Sequence, residues 1–281
     1  MKVSTEMLRR EDAVLVSIEA TRGSAPRAAG AWMAVFAQHV VGTIGGGQLE
    51  FQAIAEARRR LAGGQGEAAR QVALGPSLGQ CCGGGVRLRF ELVAGRDIPA
   101  LEQRLAPSLL PVAVFGAGHV GTALVNALAP LPFAVTWIDS RDEIFPERLP
   151  QHVVCEHSDP VHGAVPHLVP GSRVLVMSFS HAEDLAIVLA CLQRLRERGD
   201  LPFVGVIGSS TKWATFRHRL AERGFSDEEM ARVTCPIGLP GIVGKEPAVI
   251  AASVAAQMLQ LAPPRASRDG DSCHHAAAPL T

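Results

Sequence analysis

The sequence predicts an α/β fold in two parts, a glycine-rich N-terminal α+β domain followed by a Rossmann-like doubly wound parallel sheet. Three observations predict it. From residue 111 onward, short apolar runs (PVAVFG, FAVTWID, HVVCE, RVLVMSF and PFVGVIG) alternate with helical stretches, the habit of buried parallel strands. The first run leads directly into GAGHVG, and the second closes on Asp139. Before residue 98 the pattern is strand-rich with one clear helix, and glycine clusters mark its turns.

In the N-terminal part, DAVLVSIEA (12–20) and GAWMAVF (30–36) read as strands with the loop TRGSAPRAA between them. HVVGTI follows as the second arm of a hairpin and ends at Gly45, Gly46 and Gly47. The segment QLEFQAIAEARRRL has Leu49, Ala53, Ala57 and Leu61 at helical spacing. Glu50 lies in its first turn and arginines in its last, as the helix dipole favours. VRLRFELV (86–93) sets Val86, Leu88, Phe90 and Leu92 against Arg87, Arg89 and Glu91, the alternation of a half-buried strand. LGQCCGGG (78–85) runs into that strand.

Domain 1–98 is followed by a connector over 99–110, with a short helix between Pro99 and Pro111, then by the Rossmann-like domain 111–262 and a tail, 263–281. Within the second domain a helix is expected from about His119 to Ala129. Another follows Ser180, with Glu183 and Asp184 in its first turn and Gly199 just past its end. SDEE (226–229) reads as a capping box, and the last helix follows Pro247.

Composition narrows the function. Lys plus Arg and Asp plus Glu number 27 each, which argues against an extended nucleic-acid surface and leaves room for a local basic pocket. MKVSTEMLRREDAVL lacks the apolar core of a secretory signal, and no run of about 18 apolar residues suggests a membrane span. The six cysteines (Cys81, Cys82, Cys155, Cys191, Cys235 and Cys273) are scattered without CxxC spacing, as reduced thiols of a cytoplasmic protein are. The absence of tyrosine excludes the Tyr-plus-Lys proton-transfer pair of one class of nicotinamide-dependent dehydrogenases.

Five glycine-containing stretches carry most of the candidate chemistry. In GAGHVG, Gly116 makes the turn, Gly118 admits phosphate, and Gly121 lets helix and strand pack. His119 could donate to a phosphate or cap the turn. Asp139 could accept from a ribose or bond to backbone amides at its strand end. Gly45, Gly46 and Gly47 open a helix whose free amides suit an anion, and Arg27 in GSAPRAAGA adds a cation; a tight turn and a solvated surface charge are the plainer alternatives. Glu50 is either an acceptor for ligand N–H groups or an ordinary first-turn acid. Cys81, Cys82 and Gly83 put soft thiols beside permissive backbone, although free cysteines are also common as small buried hydrophobes. IGLPGIVGKEP brings Lys245 to another glycine loop. His181 and Asp184 are either a polar lining or a cap, and CHH (273–275) reads as incidental in a tail.

Taken together, GSAPRAAGA, GTIGGGQLE, LGQCCGGG, GAGHVG and IGLPGIVGKEP, in that order, resemble the XdhC/CoxI family, accessory proteins of molybdenum hydroxylases such as xanthine dehydrogenase. The resemblance covers nearly the whole chain. It implies a molybdenum-cofactor chaperone without turnover of its own, which protects the cofactor during sulfuration and promotes its insertion into apo-xanthine dehydrogenase or a related hydroxylase. It also implies a cysteine desulfurase and cofactor-biosynthesis proteins as partners. On that reading Arg27, Gly45–Gly47 and Lys245 meet phosphate, Glu50 meets the pterin, and the thiol of Cys82, nearer the glycine run than Cys81, approaches the molybdenum. A homodimer is expected, and the Rossmann-like domain admits a dinucleotide. The alternative from another class is an NAD(P)-dependent oxidoreductase using GAGHVG and Asp139, for which His119, His181 and Lys245 are the available acid–base groups.

Overall fold

The computed structural model describes residues 2–75 and 84–262. The segment containing Cys81, Cys82 and Gly83, and the tail with CHH, lie outside them. The chain divides into two units that separate after Ala106.

The first unit contains helices α1 (Lys2–Leu8), α2 (Gly47–Leu61) and α3 (Ile98–Arg104), and strands β1 (Ala13–Arg22), β2 (Trp32–Val35), β3 (Val40–Gly42), β4 (Ala69–Ala73) and β5 (Gly85–Val93). The strands form one antiparallel sheet in the order β3-β2-β1-β5-β4. Alternation along β1 serves both faces. Val14, Val16 and Ile18 pack with Leu49, Ala53 and Ala57 of α2, while Ala13 and Leu15 pack with Leu8, Ile98 and Leu101 of the other helices. Burial of large apolar side chains at about 1.5–3 kcal/mol each holds these layers together.

Val86, Leu88 and Phe90 of β5 are buried as the sequence predicts, but Leu92 is 62% exposed. It keeps the same side of the pleat; its strand partner is Val14, and both line a shallow depression floored by Phe90 and edged by Arg60 and residues 64–66. The α2 face of the sheet is therefore incompletely roofed at this end.

The second unit contains strands β6 (Leu110–Phe115), β7 (Phe133–Asp139), β8 (Val153–His157), β9 (Arg173–Val176), β10 (Phe203–Val206) and β11 (Val233–Thr234). They are joined through helices α4 (His119–Leu128), α5 (His181–Glu197), α6 (Ser210–Ala221) and α7 (Asp227–Met230), and α8 (Pro247–Gln260) ends the unit. All strand pairs are parallel, in the order β8-β7-β6-β9-β10-β11. This is the doubly wound dinucleotide-binding order, with its reversal between β6 and β9. Val112 and Val114 of β6 face a core shared with α4 and α8, whereas Ala113 and Phe115 face one built on α5 and α6.

Local signals set the helix ends. Ser180 and Ser209 accept from Glu183 N and Lys212 N, and Ser226 and Glu229 form the expected capping box. Gly199 takes a φ of +64° beyond α5, and Pro247 opens α8. Among the described residues no helix is long and apolar enough to cross a membrane.

Candidate functional site

In the first unit, the glycine-rich stretches meet at one edge through close backbone approach. A Cβ on Gly45 would lie 2.7 Å from the Pro26 side chain, which seats the GTIGGG turn against the Arg27 loop. A Cβ on Gly84 would lie 2.3 Å from the Ser24 carbonyl and 2.5 Å from that of Arg22. Only glycine fits there, so the residue following LGQCCG is held against the loop that leads to Arg27. Arg27 itself is exposed.

The glycine triplet is a turn organised by an internal anion. Gly45, Gly46 and Gly47 all have positive φ, at +124°, +76° and +64°. Glu50 reaches back from the first turn of α2, and its Oε2 accepts from the Thr43 hydroxyl (2.5 Å) and from the amides of Ile44 and Gly46, both at 3.0 Å. Gly45 N donates instead to Thr43 Oγ1 at 3.0 Å. Two of the amides that the sequence suggests for an external anion, those of Gly45 and Gly46, are thus turned onto Thr43 and Glu50. Burial opposes charge on Glu50, but the hydrogen bonds from Thr43, Gly46 and Ile44 outweigh it and hold the carboxyl below its ordinary 4.5.

A group whose folded pKa is depressed stabilises the fold above its unfolded pKa, and that stability is lost as pH falls through the folded value. Glu50→Ala is expected to cost the first unit about 2 kcal/mol near neutrality by orphaning two amides. Glu50→Gln is expected to flatten the loss of stability below pH 4.5 seen in the wild type. Denaturant midpoints measured from pH 7 to pH 3 check both.

In the second unit, the carboxyl ends of β6, β7, β9 and β10 gather a second set of groups. Gly116 has a φ of +112°, and a Cβ on it would lie 2.0 Å from the Met177 carbonyl, across the β6/β9 switch. A Cβ on Gly121 would lie 2.0 Å from the Gly116 carbonyl, which also accepts from the buried Trp137 indole at 3.1 Å. Gly118 differs: its φ is −76° and nothing lies within 4 Å of where a Cβ would stand. The protein's own packing does not require glycine there. Gly118 caps α4 without any side-chain hydrogen bond, leaving open space over a helix N-terminus. His119 is exposed beside it.

Asp139 lies inward, 2% exposed. Its Oδ2 accepts from Ala117 N at 2.6 Å and Arg141 Nη2 at 2.9 Å, and its Oδ1 from Arg141 N and Nε, both at 2.9 Å. Burial opposes its charge, yet the hydrogen bonds from Arg141 and the Ala117 amide hold the carboxyl below its ordinary range.

Further along the same edge, Asp184 is buried and accepts from Ser178 N (2.8 Å), Ser178 Oγ (2.7 Å) and Lys212 Nζ (2.6 Å). Lys212 Nζ also donates to the Ile207 carbonyl at 2.7 Å. Asp184 is therefore a packed partner of the Ser178 loop, while His181 is exposed at the start of α5. Sequence reasoning missed Lys212; no local pattern marks it, because its partner comes from another helix. Burial pushes the Cys235 thiol up, with Lys212 lowering and Asp184 raising it.

Lys245 is exposed in the loop before α8, whose Gly238 and Leu239 amides are fastened to Gln257 and Ser253 of that helix, both at 2.8 Å. Among the described residues no group of three or more His, Cys, Asp or Glu side chains is placed to hold a metal ion.

Apart from Gly84, the residues of these two edges lie on segments that match known families. Residues 112–258 match the XdhC Rossmann domain, and residues 7–72 match the XdhC and CoxI family. The chain belongs to the XdhC/CoxI family. Its similarity to YqeB of Escherichia coli K12, an uncharacterised protein, is 30% identity over 275 residues, 93% of this chain and 46% of YqeB. The chain thus spans about half the length of that relative. A Bacillus halodurans crystal structure, described as a xanthine dehydrogenase, superimposes with a TM-score of 0.72 at 20% identity, covering 96% of this chain and 97% of that one. At that identity the likeness establishes a shared fold, and the XdhC/CoxI assignment rests on the family matches.

Proposed function

We propose that this XdhC/CoxI protein is a molybdenum-cofactor carrier, which shelters the sulfurated cofactor and delivers it to an apo molybdenum hydroxylase of the xanthine dehydrogenase type, without turnover of its own. The observation that carries the reading is the meeting of Gly84 with residues 22 and 24, and of Gly45 with Pro26. Three family stretches that are far apart in sequence share one edge of the first unit. Arg27 offers that edge an exposed guanidinium suited to a phosphate, and Glu50 holds the adjoining turn rigid. Cys82 is the soft thiol for the molybdenum in this reading, with Cys81 and Gly83 beside it in sequence. The setting is the cytoplasm, with a cysteine desulfurase and cofactor-biosynthesis proteins upstream and a homodimer as the working form.

Protein made in cofactor-producing cells is expected to retain molybdenum and pterin together, read by metal analysis and by fluorescence of the oxidised pterin. Arg27→Ala removes a charge-assisted contact, and retention is expected to weaken about tenfold. Cys82→Ala is expected to lower retention or transfer to the apo-hydroxylase. Normal retention and transfer in both variants would remove this site assignment.

A second reading, an NAD(P)-dependent oxidoreductase, is favoured by the open position over Gly118 and by the Lys212–Asp184 pair at the ends of β9 and β10, where this fold presents the far half of a dinucleotide. Hydride transfer on titration with nicotinamide cofactors would support it over the carrier.

A further inference from the structure

The second unit has the order and glycine turn of a dinucleotide site, but its acid is unlike that of an NAD site. There, the carboxylate closing the second strand accepts from the ribose 2′-hydroxyl. A carboxylate offers about four acceptor positions. Asp139 fills them with the Ala117 amide and three N–H groups of Arg141. A ribose diol therefore meets no vacant acceptor on Asp139.

What stands at the surface in its place is a cation. The Arg141 side chain is 34% exposed against 2% for Asp139. Its Nε and one Nη2 proton are used on Asp139, whereas Nη1 makes no hydrogen bond among the described residues. The guanidinium lies 4.9 Å over the ring centroid of Phe179, a side chain 68% exposed at the end of β9. A large aromatic left open beside a partly committed guanidinium offers a flat face and a charged edge to an incoming base and phosphate. The neighbouring acid, Glu183, is engaged by the Ser140 hydroxyl at 2.6 Å, and His157 Nε2 lies 3.1 Å from the Ser140 carbonyl.

We propose that the Rossmann unit binds a dinucleotide whose adenosine carries a 2′-phosphate, and that Arg141 is the residue that selects it over the free 2′-hydroxyl. The pyrophosphate lies over Gly118 and the α4 amides, and the 2′-phosphate takes the Nη1 edge of Arg141 beside Phe179. Nε and Nη2 of Arg141 stay on Asp139 while Nη1 meets the phosphate, so the buried carboxylate keeps its partners. This site is independent of the cargo edge in the first unit.

Calorimetric titration of the full chain with NADP+, NAD+, 2′,5′-ADP and 5′-AMP tests the proposal. The wild type is expected to bind NADP+ at least tenfold more tightly than NAD+, and 2′,5′-ADP more tightly than 5′-AMP. Arg141→Ala is expected to lose that preference, with NAD+ affinity equal or improved as acceptor positions on Asp139 come free. Arg141→Lys keeps the charge without the fork and is expected to retain part of the preference, which guards against a poorly folded alanine variant. Equal binding of NADP+ and NAD+ by the wild type overturns the role of Arg141, and binding of neither overturns the nucleotide site. Molybdenum retention, measured on the same preparations, reports separately on the carrier function.

Discussion

Gly116→Ala and Gly121→Ala are each expected to destabilise the Rossmann unit by about 3 kcal/mol or more, while Gly118→Ala costs less than about 1 kcal/mol. The three glycines share one motif but meet different surroundings. A methyl group on Gly116 or Gly121 would stand 2.0 Å from a backbone carbonyl, that of Met177 or of Gly116. Met177 is tied to β6 by its amide, which donates to the Phe115 carbonyl at 2.9 Å, and the Gly116 carbonyl cannot retreat cheaply. The Gly116 carbonyl accepts from the buried Trp137 indole, and the Gly116 amide donates to Ile138 O at 2.7 Å. Gly116 also needs a φ of +112°, which a side chain disfavours. Gly118 faces open space at a φ of −76°, so alanine is tolerated by the fold and intrudes only on a bound group. Urea unfolding followed by tryptophan fluorescence, with limited proteolysis, should show two early transitions and one near that of the wild type. A Gly118→Ala loss as large as that of Gly121→Ala would mean that the space over Gly118 is not free. The same variant, folded normally, is expected to bind NADP+ at least tenfold more weakly.

The order of strands in the second unit was legible because buried parallel strands are short apolar runs between helices, and the GAGHVG turn fixes where the first pair begins. Elements with little apolar content were not legible. The edge strand β4 reads ARQVA, with Val72 its one β-branched residue, and α6 buries only Phe216 and Leu220 across STKWATFRHRLA. Strands and helices of this kind form because a neighbour already in place satisfies them, a condition that a local window does not carry. The exposure of Leu92 has the same origin, since alternation assigns a face and not the length of the helix that covers it.

The candidate sites divided along similar lines. Close approach at Gly84, Gly116 and Gly121 follows from residue type, because glycine clusters at strand ends mark where backbone must meet backbone. The direction of a carboxylate does not. Glu50 satisfies its own turn, and Asp139 is filled by a main-chain amide and by Arg141, two residues away. Both outcomes depend on rotamer and register, which spacing leaves open. Arg141 and Lys212 lacked any motif; Arg141 meets Phe179 and Lys212 meets Asp184, side chains presented by a different loop or helix.

Asp184→Ala is expected to cost about 3–5 kcal/mol. The carboxylate is 2% exposed, and truncation leaves the Lys212 ammonium, with a side chain 11% exposed, with the Ile207 carbonyl as its one hydrogen-bond acceptor among the described residues. It also removes the acceptor of Ser178 N and Oγ. Lys212→Met alone leaves Asp184 with the two Ser178 donors and is expected to cost less. The pair is the testable quantity: Asp184→Ala with Lys212→Met should be more stable than the sum of the single losses predicts, because the double variant buries no lone charge. Additive losses would show that the two groups do not depend on one another. Cys235 provides a second readout, since Asp184 raises its thiol pKa and Lys212 lowers it. Alkylation of Cys235 at pH 8, followed by peptide mass spectrometry, is expected to quicken in Asp184→Ala and slow in Lys212→Met. Opposite shifts in one thiol, from variants that both destabilise, would separate the electrostatics of this edge from general loosening of the fold.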